Sequence, residues 1–125
     1  MEKKRPMNLD LGTIRLPITS YVSILHRISG VIMFFAVAVL IWLFDMSLSS
    51  EDGYLFVVEI FNYPLAQIVI WSSLSALSYH ISMGMRHLVM DFGFAEDFRA
   101  GQISAVVALL GAGILIVLLA GWIYI

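Results

Sequence analysis

Residues 100–125 read AGQISAVVALLGAGILIVLLAGWIYI, and no Asp, Glu, Lys or Arg interrupts them. A helix that crosses about 30 Å of hydrocarbon needs roughly 20 mostly apolar residues, so this stretch can span a bilayer unaided. Working back along the chain, a second charge-free run extends from Ile60 to Met85. A third lies between Arg27 and Asp45, 17 residues long. It reaches spanning length when the helix runs from Ser23 to Met46, which takes His26 and Arg27 into its first turns. The sequence therefore predicts an all-α integral membrane protein with three transmembrane helices over 23–46, 63–90 and 103–124.

Composition agrees. Of the 125 residues, 61% are hydrophobic, against about 45–50% in a soluble domain, and the mean hydropathy is +0.94. An N-terminal signal peptide fits poorly. The basic Lys3-Lys4-Arg5 is followed by a polar stretch rather than a short apolar core with a small-residue cleavage site. With no cysteine, the chain itself offers no disulfide, thiolate metal site or iron–sulfur ligand.

The net charge of −2 says little; the placement of charge says more. All seven basic residues (Lys3, Lys4, Arg5, Arg15, Arg27, Arg86, Arg99) lie in the N-terminal arm or around the second connection. The first connection carries Asp45, Glu51, Asp52 and Glu59 and no basic residue. Cytoplasmic loops are enriched in Lys and Arg, so the N-terminus is expected in the cytoplasm and the C-terminus outside, in the periplasm of a bacterium. Trp42, Tyr54, Tyr63, Trp122 and Tyr124 fall near the expected outer boundary, where aromatic side chains anchor. Pro64 suits the first turn of the second helix, and Gly93 suits its end, where a positive φ is wanted. Residues 1–22 are polar, hold two prolines and show no helical period, as expected of an arm that lies along other subunits. The last span is largely aliphatic all round, with Gly111 and Gly113 interrupting its middle, and three such spans call for a partner to complete the bundle.

The ionisable groups cluster at one end. In SYHISMGMRHLVMDFG (78–93), His80, Gly84, His87 and Asp91 are spaced i, i+4, i+7, i+11 and share one helical stripe. Arg86 points elsewhere. His80 lies about 16 Å from Asp91 along the axis, the deepest ionisable group in the pattern. Ionisable residues inside a membrane are costly and mark functional positions. From spacing alone, His80 can bind a metal or haem iron, relay protons or hydrogen-bond a neighbouring helix. Gly84 clears a place for a flat macrocycle. In SILHRISG (23–30), Ser23, His26, Arg27 and Gly30 also share a face, at similar depth. Ser23 and Arg27 can hydrogen-bond a polar head group, or they are an N-terminal cap and a snorkelling arginine. No second deep histidine exists, so a haem on His80 needs its opposite ligand from another subunit.

With those motifs in place, the chain resembles the cytochrome b membrane-anchor subunits of succinate dehydrogenase, respiratory complex II, in their bacterial form. The similarity is most specific in RPMNLDLGTIRLPITS followed by SILHRISG, and in SYHISMGMRHLVMDFG. The resemblance implies a haem b shared with a second, small membrane anchor subunit, with His80 as the axial ligand on this chain. It places Ser23 and Arg27 at a quinone site and His26 and Arg27 near the haem propionates. His87 and Arg86 would form an electropositive border. It further implies a flavoprotein subunit carrying FAD and an iron–sulfur subunit carrying the clusters, docked on the cytoplasmic face. These pass electrons from succinate to ubiquinone. Asp91 and Asp97 are candidate proton relays. No nucleic-acid partner is expected. A menaquinone-linked fumarate reductase anchor, a stand-alone cytochrome b and a cofactor-free structural subunit stay open as alternatives.

Overall fold

The computed structural model describes residue 12 and residues 15–125; most of the N-terminal arm lies outside the described residues. Four helices follow in order: α1 (Ile18–Ser49), α2 (Glu51–Phe61), α3 (Pro64–Asp91) and α4 (Phe98–Tyr124). Among the described residues there is no strand. At about 1.5 Å per residue, α1, α3 and α4 each exceed about 40 Å, more than the thickness of the hydrocarbon core. α1 and α4 are apolar enough to cross a membrane on their own. α3 has the length, but its apolar character is diluted by Ser72, Ser73, Ser75, Ser78 and Ser82; it meets the same criterion only together with α2.

The first helix begins at Ile18, more than a turn before the expected start. Pro17 sits in an extended conformation at its N-cap, with Ser20 N and Tyr21 N both donating to its carbonyl. Ser23 is therefore inside the helix rather than capping it. The structure also adds an element where a loop was expected. Ser50 is extended, and its Oγ accepts from Gly53 N at 2.9 Å; Glu51 and Asp52 occupy the first turn of α2, where the helix dipole favours negative charge. Pro64 opens α3 as expected, and α3 departs from α2 at 89°. At the far end Gly93 takes a φ of +89°, closing α3 with Gly93 N donating to Met90 O and Phe94 N to Val89 O.

α3 is the central helix. Tyr79 Oη donates to Val22 O of α1 at 2.8 Å, and Trp71 Nε1 donates to Ile116 O of α4 at 3.2 Å. Arg86 is only 6% exposed. Its Nε donates to Ser104 Oγ at 3.0 Å and its Nη2 to Gly101 O at 3.1 Å, both on α4. The sealed core is small and lies at this same end. Val22, Met83 and Ala105 are buried, with Ile18, Tyr79, Ala108 and Leu109 packed against them. Elsewhere, apart from scattered buried residues such as Met33 and Ile70, many apolar side chains point outward, among them Phe34, Phe35, Leu65, Val117 and Trp122. That is a surface for lipid or for another membrane helix.

The α1–α2 corner depends on one close approach. A Cβ on Gly53 would collide with the Met46 carbonyl oxygen and stand 3.0 Å from Ser49 Oγ. Backbone cannot yield as a flexible side-chain tip can, so Gly53→Ala should lower stability by about 1–3 kcal/mol. Thermal unfolding in detergent reads this, and Gly111→Ala, where a Cβ meets open space, should leave the transition unmoved. Arg86→Met removes two charge-assisted hydrogen bonds between α3 and α4. The same measurement should show a loss of at least about 1.5–3 kcal/mol.

Candidate functional site

The first turns of α1 run antiparallel to the last turns of α3, and their histidines meet. The His26 ring stacks on that of His80, with centroids 4.1 Å apart and planes 9° from parallel. It also touches His87, 5.1 Å away and tilted by 56°. Two α3 residues seven positions apart thus share one α1 neighbour, which stands at a depth between them. Gly84 lies on the same stripe, but the place it clears is taken within this chain by His26, whose Nε2 is 3.8 Å from where a Cβ would be. That Nε2 is buried and has no hydrogen-bond partner.

Ser29 completes the cluster. It is buried, its Oγ donates to His26 O at 2.7 Å, and the same oxygen lies 2.9 Å from His80 Nδ1. Gly30 follows it, and a Cβ there would stand 3.2 Å from His80 Cε1. The sequence reading placed Gly30 on this face and passed over Ser29. The available signal was that Ser29 stands three residues beyond His26, close to the same face.

Beside the histidines, between the N-terminal ends of α1 and α4 and the end of α3, opens a cavity of about 520 Å³. Ser23, Arg27 and His87 line it, as does Arg86, which sequence periodicity had turned away from the stripe. Arg86 indeed leaves that stripe, but its path to α4 takes it along the cavity wall. Asp97 is a further lining residue and the N-cap of α4, its Oδ2 accepting from Ala100 N at 3.1 Å. Thr19, Ser20 and Glu96 also contribute; they were missed because α1 was expected to start later and the second connection carried no motif. Asp91, the last residue of α3, is exposed and is not part of the lining.

The chemistry of this end is specific. Hydroxyls and two guanidinium groups face a cavity of ligand size, bounded by apolar helices, as suits a lipid-soluble molecule with a polar head. His80 would offer one imidazole to a haem, and the orphaned His26 nitrogen and Arg27 would be polar partners for its propionates, so the residues present fit the group. They do not form a bis-histidine site alone, because parallel stacked rings cannot face each other across an iron atom. Among the described residues no group of three or more His, Cys, Asp or Glu side chains is arranged to hold a bare metal ion.

Comparison with known proteins identifies the family. Residues 1–120 match the family described as the succinate dehydrogenase/fumarate reductase transmembrane subunit. The succinate dehydrogenase cytochrome b556 subunit of Coxiella burnetii is 34% identical over 125 residues, covering 99% of this chain and 100% of the relative. The protein of that name from Rickettsia felis is 36% identical over 101 residues, covering 81% of this chain and 78% of its own. That from Paracoccus denitrificans is 27% identical over 114 residues, with 91% and 88% covered. The chain is a membrane protein of the succinate dehydrogenase/fumarate reductase transmembrane subunit family.

Proposed function

We propose that this chain is the cytochrome b anchor subunit of a succinate:ubiquinone oxidoreductase. In this reading it holds haem b together with a second, small anchor subunit and helps to form the ubiquinone-reduction site. It docks the iron–sulfur and flavoprotein subunits, which carry the clusters and FAD. The observation that carries the proposal is the adjacency of the His26–His80–His87 cluster to the cavity lined by Ser23 and Arg27. A redox group on His80 and a quinone head in the cavity would be near neighbours. The names of the relatives, all cytochrome b subunits of succinate dehydrogenase, support the succinate direction over the fumarate one.

His80 would be this chain's ligand to the haem iron, and His26, Arg27 and His87 would stand near the propionates. When bound, haem b supplies a one-electron carrier. The remaining chemistry belongs to the protein. Ser23 donates a hydrogen bond to a quinone carbonyl. Arg27 stabilises negative charge as it develops on that oxygen. Protons enter from water at the mouth of the cavity. Asp97, which lines it, is the better placed of the two relay candidates, and Asp91 serves from the exposed end of α3. The distribution of basic residues supports a bacterial cytoplasmic-membrane topology with the N-terminus and this polar end in the cytoplasm. Of the expected arm 1–22, residues 18–22 belong to α1; the part before them would contact the peripheral subunits, and most of it falls outside the described residues.

In the assembled complex, Arg27→Leu should lower succinate-driven quinone reduction by about 10- to 100-fold. That corresponds to one charge-assisted hydrogen bond of about 1.5–3 kcal/mol. Ser23→Ala should act in the same direction, while succinate oxidation by a soluble dye stays intact. Full quinone reduction in both variants rejects the site. His80→Leu membranes should show an altered or missing b-type reduced-minus-oxidised spectrum, and an unchanged spectrum and midpoint potential reject the ligand.

A further inference from the structure

We infer that Ser29 and Gly30 of α1 are positioning residues for His80. Ser29 accepts a hydrogen bond from His80 Nδ1–H and so presents Nε2 as the nitrogen that meets haem iron. This rests on the assignment of His80 as an axial ligand and goes beyond it by fixing which nitrogen ligates and what holds the ring.

The inference follows from counting hydrogens. A serine hydroxyl has one hydrogen and two lone pairs. The hydrogen of Ser29 is directed at the His26 carbonyl oxygen, 2.7 Å away and three residues back on its own helix. At its other contact, 2.9 Å to His80 Nδ1, the same oxygen can only accept. Nδ1 must then carry the proton. A neutral imidazole has one N–H, so the lone pair is on Nε2. Ser29 is 5% exposed, and water has little access to take over as acceptor.

Two further contacts fix the ring in place. Gly30 allows α1 to approach, since a Cβ would stand 3.2 Å from Cε1 and 3.8 Å from Nδ1 of His80. His26 covers one face of the ring at 4.1 Å. The Nδ1–Cε1 edge of the ring is thus turned to α1. An imidazole whose N–H is hydrogen-bonded is a more basic ligand. It favours ferric over ferrous iron, and Ser29 accordingly lowers the midpoint potential of the haem.

The test uses the assembled complex purified from its own membranes, with haem content, midpoint potential and the low-spin ferric EPR signal as readouts. Ser29→Ala should retain haem b, shift the potential upward and move the largest g-value. Haem retained against an excess of apomyoglobin should fall by about 10-fold. Ser29→Thr, which restores a hydroxyl able to bond the same carbonyl, should return both potential and signal. Wild-type potential and g-values in Ser29→Ala overturn the inference. A parallel His80→Leu preparation separates the two failures. If it alters the haem while Ser29→Ala does not, only the role of Ser29 falls. If it leaves the haem untouched, the ligand assignment falls, and the inference with it. Should Ser29→Ala not assemble, Ser29→Cys, with a weak sulfur acceptor, serves instead: an upward shift supports the role, and the wild-type potential overturns it.

Discussion

Polar groups inside hydrocarbon cannot fall back on water, and α3 carries an unusual number of them into the bundle. Trp71, Tyr79, His80 and Arg86 each cross to a neighbouring helix for a partner. An unsatisfied group at such a depth costs several kcal/mol, so these partnerships determine where α1 and α4 are held. The small buried core of Val22, Met83 and Ala105 forms where they are most concentrated. At the other end, beyond Trp71, the helices offer mostly apolar surface, and between α1 and α3 lies a groove of about 710 Å³ lined by residues such as Phe35, Trp42 and Leu65. The chain is thus tight at the polar end and open at the apolar one.

Arg86 links packing to the site. It stabilises the α3–α4 contact through Ser104 and Gly101, and it also lines the cavity beside Arg27 and His87. The cavity consequently owes its shape to a hydrogen-bond network that no single helix contains. Ser104 itself donates to Gly101 O at 2.8 Å, so the arginine grips a preformed pair of acceptors at the start of α4.

Much of this was legible in the sequence, for physical reasons that differ from element to element. Charge-free length gave α4 outright, and α1 once His26 and Arg27 were taken into its first turns, because hydrocarbon thickness leaves few alternatives. The 3.6-residue period placed His80, Gly84 and His87 on one stripe, and they do converge on His26. Pro64 and Gly93 marked the two ends of α3 through their backbone restrictions. The misses share a cause: each depended on a short-range or cross-helix hydrogen bond that hydropathy does not register. Ser50 followed by Glu51 and Asp52 is an N-cap signature, yet its acidity read as a loop. Ser29 looked like an ordinary polar residue in a span, and its importance lies in which carbonyl it faces. Arg86 was assigned away from the stripe and expected at an electropositive border, and its burial against a neighbouring helix was not foreseen. The role of the first-turn residues Thr19 and Ser20 was hidden by the late start expected for α1.

The right angle between α2 and α3 has a mechanical consequence. A helix set crosswise to the start of α3 and joined to the end of α1 is a stop: it resists sliding of α3 past α1. It is held there by the Gly53 corner and the Ser50 cap. Counting from Pro64 at that stop, His80 lies about 24 Å down α3 at about 1.5 Å per residue. The histidine cluster is thereby kept at a set distance from the α2–α3 corner. That distance is set by the chain itself and not by the thickness of the lipid around it.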